Sequence, residues 1–334
     1  MTSRERVFTA LSHEQPDRVP YCVGFTAKAH AKLAEYFGDP DFAGKIHNDL
    51  AAFDVGIAED WHEVRPCVWR DEFGVEWDQS VDKDIGVVCN RVVDESTIDE
   101  APFPNPDDPR RWKPFEAMPS SLKDTFKVAN LGFSLFERAW TLFGMENLLM
   151  AMATTPDVVN RLLDRILAYN LRIVERACSY EVDAMMFGDD WGSQAGLIMG
   201  PDLWRMYIKP RIRQMYGAAR DHGKFVFIHS CGKVDELFPD LIECGLNCFN
   251  PFQPEVMDPY QTKQRYGDEL SFFGGISTQK TLPYATPDEV RAEVERLLRE
   301  VGRNGGYIAA PAHATPGDAK AENMAAMLEV LENQ

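Results

Sequence analysis

The stretch that decides the fold is VDAMMFGDDWGSQAGLIMGPDLWRMYIKPRIRQMYGAARDHGKFVFIHSCGKVDELFPDLIECGLNCFNPF, residues 182–252. It holds three short apolar runs, in VDAMMFGDD, FVFIHSC and LNCFNPF. Between them lie two segments with helical character, GPDLWRMYIKPRIRQMYGAARDHG and VDELFPDLIECG, each closing on a glycine. The runs lack polar alternation, as expected of strands covered on both faces. Strands joined through helices by short connections must lie parallel, because each helix carries the chain back across the sheet.

The same rhythm extends in both directions. Upstream, FKVANLG (126–132) precedes a helical segment near 134–152. Residues 155–180 then place Val158, Leu162, Ile166, Leu167, Leu171 and Val174 at helical spacing behind the Thr155–Pro156 start signal. Downstream come LSFFGGI, GYIAAPAH and helices at 286–302 and 319–332. Two earlier strands are expected at 18–24 and 53–58. No strand is followed by G-x-G-x-x-G, so the usual reason to leave such a sheet open is missing. The expected fold is α/β, a (β/α)8 TIM barrel in one domain over 1–334. Val7, Phe8 and Leu11 form one face of an N-terminal helical extension. Residues 62–125 break the rhythm. PCVWRDEFGVEWDQS alternates like a hairpin with Gly74 near its turn, and a Pro- and Asp-rich loop follows. This reads as an insertion over part of the barrel.

The 334 residues carry 35 Lys and Arg against 53 Asp and Glu, a net charge of −18. Such a surface repels nucleic acid and anionic lipid. No apolar stretch approaches the ~20 residues that span a bilayer, and the first twenty residues lack a signal-peptide core. Seven scattered cysteines do not form a disulfide framework. A soluble cytoplasmic protein is expected.

In a barrel of this type the reactive groups sit at the carboxyl ends of the strands. Asp189, Asp190 and Trp191 follow one strand, His229 and Cys231 the next, Asn250, Phe252 and Gln253 a third, and His313 the last. His-x-Cys at a strand end directs both side chains to one face. Imidazole and thiolate are donors that Zn²⁺ prefers, and a catalytic zinc keeps three protein ligands and an open position. His313 is the most natural third ligand, with Glu137, Asp189 and Asp190 as oxygen alternatives. These three carboxylates are also the candidate catalytic groups. Phe25, Trp191, Asn250, Phe252 and Gln253 are candidate substrate-binding residues. Cys248 is expected in the packing of its strand, and Cys244 at a helix end.

Assembled, the chain resembles the uroporphyrinogen decarboxylase superfamily over nearly its whole length. The resemblance is carried by RERVFTALSHEQPDRVP, DEFGVEW, FERAWTLFGMENLL, MFGDDWGSQAGLIMGPDLWRMYIKPR, FIHSCGKVDELFPDLIECGLNCFNPFQPE, FFGGISTQKTLP and APAHATPGD. It implies the (β/α)8 fold and one of two activities. One is decarboxylation. The other is zinc-dependent methyl transfer between a corrinoid carried on a partner protein and a small acceptor, such as coenzyme M or tetrahydrofolate. Uroporphyrinogen decarboxylases carry an Arg-Gln-Ala-Gly-Arg run after the first strand, where this chain has CVGFTAKAH with Lys28 as its cation. The methyltransferase branch carries His-x-Cys, matched by His229 and Cys231. Its third ligand is usually a cysteine in a Pro-Gly-Cys turn, where this chain has Pro311, Ala312 and His313. A metal-free decarboxylase acting on a smaller acid through Asp189 and His313, and a non-catalytic binding protein, are the alternatives. The outer helices of the barrel leave room for a homodimer.

Overall fold

The structure, a computed structural model, describes residues 1–81 and 86–334. Its strands are β1 (Leu50–Asp54), β2 (His62–Arg65), β3 (Val68–Arg70), β4 (Glu76–Asp78), β5 (Val87–Val88), β6 (Phe126–Leu131), β7 (Ala184–Gly188), β8 (Phe225–His229), β9 (Cys248–Phe252), β10 (Ser271–Ile276) and β11 (Tyr307–Pro311). A parallel sheet runs in the order β1-β6-β7-β8-β9-β10-β11, with helices between successive strands. It curls into a barrel.

The eighth staff of that barrel differs from expectation. Residues 18–24 form no strand. Tyr21 makes a single parallel bridge to Ala309 of β11. On the β1 side, side chains supplement a single main-chain bond from the Asp49 N–H to the Tyr21 carbonyl: Asp49 Oδ2 accepts the Tyr21 N–H at 2.9 Å and Asn48 Oδ1 accepts that of Val23 at 2.8 Å. Pro20 has no N–H to give a regular ladder, so the seam closes through Asp49 and Asn48. The strand expected at 53–58 also moves, because β1 ends at Asp54 and Gly56 already lies in the turn.

Alternation along each strand separates two cores. Phe126, Val128, Ala184, Phe227, Cys248 and Ile308 point into the lumen, while Ala129, Leu131, Val226 and Ile228 pack outward under the helices. Helix α1 (Ser3–Leu11) plugs the amino-terminal end of the lumen with Val7 and Leu11. Its Phe8 ring meets Phe126 and Phe225 edge-on. Each such apolar side chain contributes about 1.5–3 kcal/mol by leaving water. The plug is pinned by buried Asp49, which receives Arg6 at 2.7 Å and Arg18 at 2.8 Å.

Helix α2 (Ala27–Phe37) follows the closing segment, and α3 (Pro109–Glu116) begins inside the Pro-rich loop. The helix expected near 134–152 is two, α4 (Phe136–Phe143) and α5 (Met145–Thr154), broken where Gly144 takes φ 90°. The long α6 (Pro156–Cys178) runs as its periodicity predicts. The expected hairpin is present: β3 and β4 pair antiparallel around Gly74 at φ 82°, and β2 and β5 extend them to four strands. Residues 82–85 of the expected insertion lie outside the described residues. Phe73, Val75 and Trp77 of this small sheet share the outer core of the barrel. Among the described residues no helix is long and apolar enough to cross a membrane.

Candidate metal centre

Strand β8 aims Phe225, Phe227 and His229 along one face, so the last of these rises at the rim of the lumen. Beyond the strand, Cys231 continues on the same side. His313 reaches the same place from the turn after β11, its ring centroid 5.6 Å from that of His229. One ligand atom from each of His229, Cys231 and His313 lies within 4.8 Å of the others. Cys231 Sγ is 3.4 Å from His229 Nε2. Ligands at ~2.0–2.3 Å around a tetrahedral zinc stand roughly 3.3–3.8 Å apart, so this donor set closes on one ion with small side-chain adjustments.

Asn250, the register partner of His229 on β9, orients the imidazole. Its Nδ2 donates to the Phe273 carbonyl at 3.0 Å, which turns its Oδ1 toward His229 Nδ1 at 2.6 Å. That places the ring proton on Nδ1 and leaves the Nε2 lone pair facing Cys231, the arrangement a metal-ligating histidine needs. The loop bearing Cys231 is fixed by backbone packing. The Gly232 N–H donates to Gln253 Oε1 at 3.3 Å, and the Cys231 N–H donates to Asp190 Oδ1 at 2.8 Å. A Cβ on Gly232, at φ 85°, would stand 2.5 Å from the Gly192 carbonyl carbon, so the two loops touch main chain to main chain.

The adjacent carboxylates Asp189 and Asp190 have unlike surroundings. Asp189 is fully buried, and its two oxygens accept N–H groups from Leu135, Phe136 and Glu137 and from the Trp191 indole, at 2.6–3.2 Å. It caps α4 from a neighbouring strand, supplying the acceptors that the helix start lacks. Burial raises its pKa to about 6 against the pull of those donors. Asp190 faces the metal-site loop. Glu137, in the first turn of α4, is pushed up to about 9, first by burial and then by the charges of Asp190 and Asp189. Burial, Asp190 and Glu137 also hold the Cys231 thiol well above its usual range. A thiolate here needs a cation beside it, which is what a divalent ion bound by the three ligands would provide.

The remaining candidates fall in different places. Trp191, expected at the substrate, is fully buried, with its indole on Asp189 and its ring against Trp204. Phe252 is equally buried, stacked at 4.4 Å on Phe272. Both are apolar rings facing outward from the sheet, so packing under the helices claims them. Asn250 and Gln253 lie behind the metal ligands, as described. Phe25 is half-buried against Phe42, beside the segment that bridges to Thr315. Cys248 lies in the lumen core and Cys244 ends the helix Phe238–Cys244.

Sequence reasoning passed over a cavity of about 490 Å³ at the carboxyl ends of β1 and β6. It lies between the barrel and the inserted sheet and is lined by Trp61, Trp77, Phe133, Arg111 and Arg138 among others. The only signal for it was the density of aromatic and arginine residues in an otherwise acidic insertion. Strand order ties it to the metal centre. A Cβ on Gly188 of β7 would lie 3.2 Å from Gly132 Cα, and Gly188 is the register partner of His229. Two strand spacings, about 10 Å, therefore separate the cavity wall from the imidazole.

The family model for uroporphyrinogen decarboxylase (URO-D) matches residues 72–334. The chain is 26% identical over 101 residues to methylcobamide:CoM methyltransferase MtaA of Methanosarcina barkeri, covering 30% of this chain and 29% of that protein. It is 24% identical over 225 residues to the uroporphyrinogen decarboxylase of Pelodictyon phaeoclathratiforme, covering 62% and 60%. To a methylated-thiol–coenzyme M methyltransferase of Methanosarcina mazei it is 20% identical over 181 residues, covering 54% and 47%. The chain thus spans between about a third and three fifths of these relatives' lengths. In three dimensions it superposes on a methyltransferase from Methanosarcina mazei with a TM-score of 0.71 at 17% identity, over 98% of this chain and 99% of the other.

Proposed function

The chain belongs to the uroporphyrinogen decarboxylase family, and within it we propose a zinc-dependent methyltransferase that moves a methyl group between a corrinoid on a partner protein and a small acceptor, a thiol such as coenzyme M or tetrahydrofolate. The observation that carries this reading is the convergence of His229, Cys231 and His313 within 4.8 Å at the barrel mouth. These three side chains would hold the zinc, and a zinc ion with an open position supplies a Lewis acid that keeps a substrate thiol ionised at neutral pH.

The rest of the work falls to protein groups. Asn250 holds His229 in the tautomer that offers Nε2. Asp190 fixes the backbone of Cys231. Glu137, whose pKa burial and the charges of Asp190 and Asp189 raise, is placed to orient the acceptor or to complete the metal shell. Asp189 has both oxygens occupied by four N–H donors, which weighs against it as the acid of a decarboxylase. Two relatives are named as methyltransferases of coenzyme M and another as a uroporphyrinogen decarboxylase. The His-x-Cys pair supports the first activity.

Metal analysis tests the reading. The purified protein is expected to hold about one equivalent of zinc, and His229→Ala and Cys231→Ala little, since structural affinity for such sites is high (about 10–16 kcal/mol in zinc-finger peptides). His313→Ala separates a third imidazole ligand from a carboxylate one: metal retained in that variant assigns the position to Glu137 or Asp190. A reconstituted wild-type protein without zinc overturns the proposal.

A further inference from the structure

The cavity beneath the inserted sheet has walls and charges that select a ligand. Trp61 and Phe133 are half-buried rings in its lining, each packed against the buried Trp77 with ring centroids 5.9 and 5.2 Å away. Stacking on such faces favours a planar apolar ligand by about 0.5–1.5 kcal/mol per ring pair beyond area burial. Two guanidiniums line the same space, but each has its own carboxylate. Arg111, fully buried, pairs with Glu72 and with the Val55 carbonyl. Arg138 pairs with Asp71 at 3.0 Å and lies over the Phe73 ring at 4.0 Å. With Asp54 also in the lining, three carboxylates face two guanidiniums. An anionic ligand would therefore enter a site with no net positive charge and lose its hydration without a counter-ion.

We propose that this cavity binds an uncharged aromatic molecule. The binding preference rests on the cavity alone and not on the function proposed above.

Three probes of one shape and different charge decide it: benzyl alcohol, benzoate and benzylammonium, titrated into the full-length protein by tryptophan fluorescence and calorimetry. Benzyl alcohol is expected to bind at least tenfold more tightly than either ion. Trp61→Ala, at a half-buried position, should weaken it about tenfold with an unchanged melting curve. Phe133→Leu gives an independent reading should Trp61→Ala prove unstable. Tighter binding of benzoate or benzylammonium, or no binding of benzyl alcohol, overturns the proposal. The titrations are repeated after chelation with zinc content measured alongside. Binding without zinc in any preparation would refute the zinc enzyme and leave the cavity preference standing. Zinc without benzyl alcohol binding would do the reverse.

Discussion

Asn250 Oδ1 lies 2.6 Å from Nδ1 of His229, and the same amide is anchored through Nδ2 to the Phe273 carbonyl. The orientation of the metal-site imidazole is therefore set by a residue on the next strand. Removing such a partner commonly costs about 10–100-fold in metal affinity. Asn250→Ala should lose zinc by that factor in a chelator competition while its circular dichroism stays that of the wild type.

Asp189→Asn turns an NH₂ toward two of the four N–H groups that the carboxylate accepts. Each buried donor left unmet costs about 1–3 kcal/mol, so urea denaturation should show a loss of roughly 2–6 kcal/mol. The damage should centre on α4 and appear as early hydrogen exchange of the Leu135–Glu137 amides.

Gly232→Ala forces a Cβ against the Gly192 backbone at 2.5 Å and into a left-handed conformation. The expected outcome is a shifted Cys231 loop, a stability loss of about 1–3 kcal/mol and sub-stoichiometric zinc. A fully loaded, normally stable variant would show that the loops part without consequence.

Leu11→Ala at the barrel floor opens space beside Val7, Leu50 and Phe126 and should cost about 2–5 kcal/mol. Zinc content should not change, because the plug and the metal ligands occupy opposite ends of the lumen.

Lys263 supplies a pH signature. Burial lowers its pKa from 10.5 to about 8, and its ammonium donates to the Gly305 carbonyl at 2.6 Å. Between pH 8 and 10.5 the unfolded chain binds more protons at this site than the folded one, so this group makes stability rise with pH across that window. The urea midpoint of Lys263→Met should rise less between pH 8 and 10 than that of the wild type. Equal rises in both proteins would discount the effect.

Much of the barrel was legible because its strands are apolar on both faces and its helices carry a 3.6-residue rhythm. The seam at 18–24 was not, since its few main-chain bonds are completed by the side chains of Asn48 and Asp49, more than twenty residues away. The His-x-Cys pair was legible as well, because the period of two fixes the side to which residues 229 and 231 point once a strand ends there.

By itself the sequence determined the parallel sheet, the inserted hairpin and the positions of His229, Cys231 and His313 at strand ends, all of which follow from local periodicity. The tertiary structure alone decided between Asp189 and Asp190. The same period of two sends the first outward to cap α4 and leaves the second beside Cys231, and which neighbour waits on each side is a matter of packing. It decided likewise that Trp191 and Phe252 are core, and that Trp61, Trp77, Arg111, Phe133 and Arg138 enclose one cavity. Those side chains come from segments up to 77 positions apart in the chain, and only the closure of the barrel brings them within contact distance.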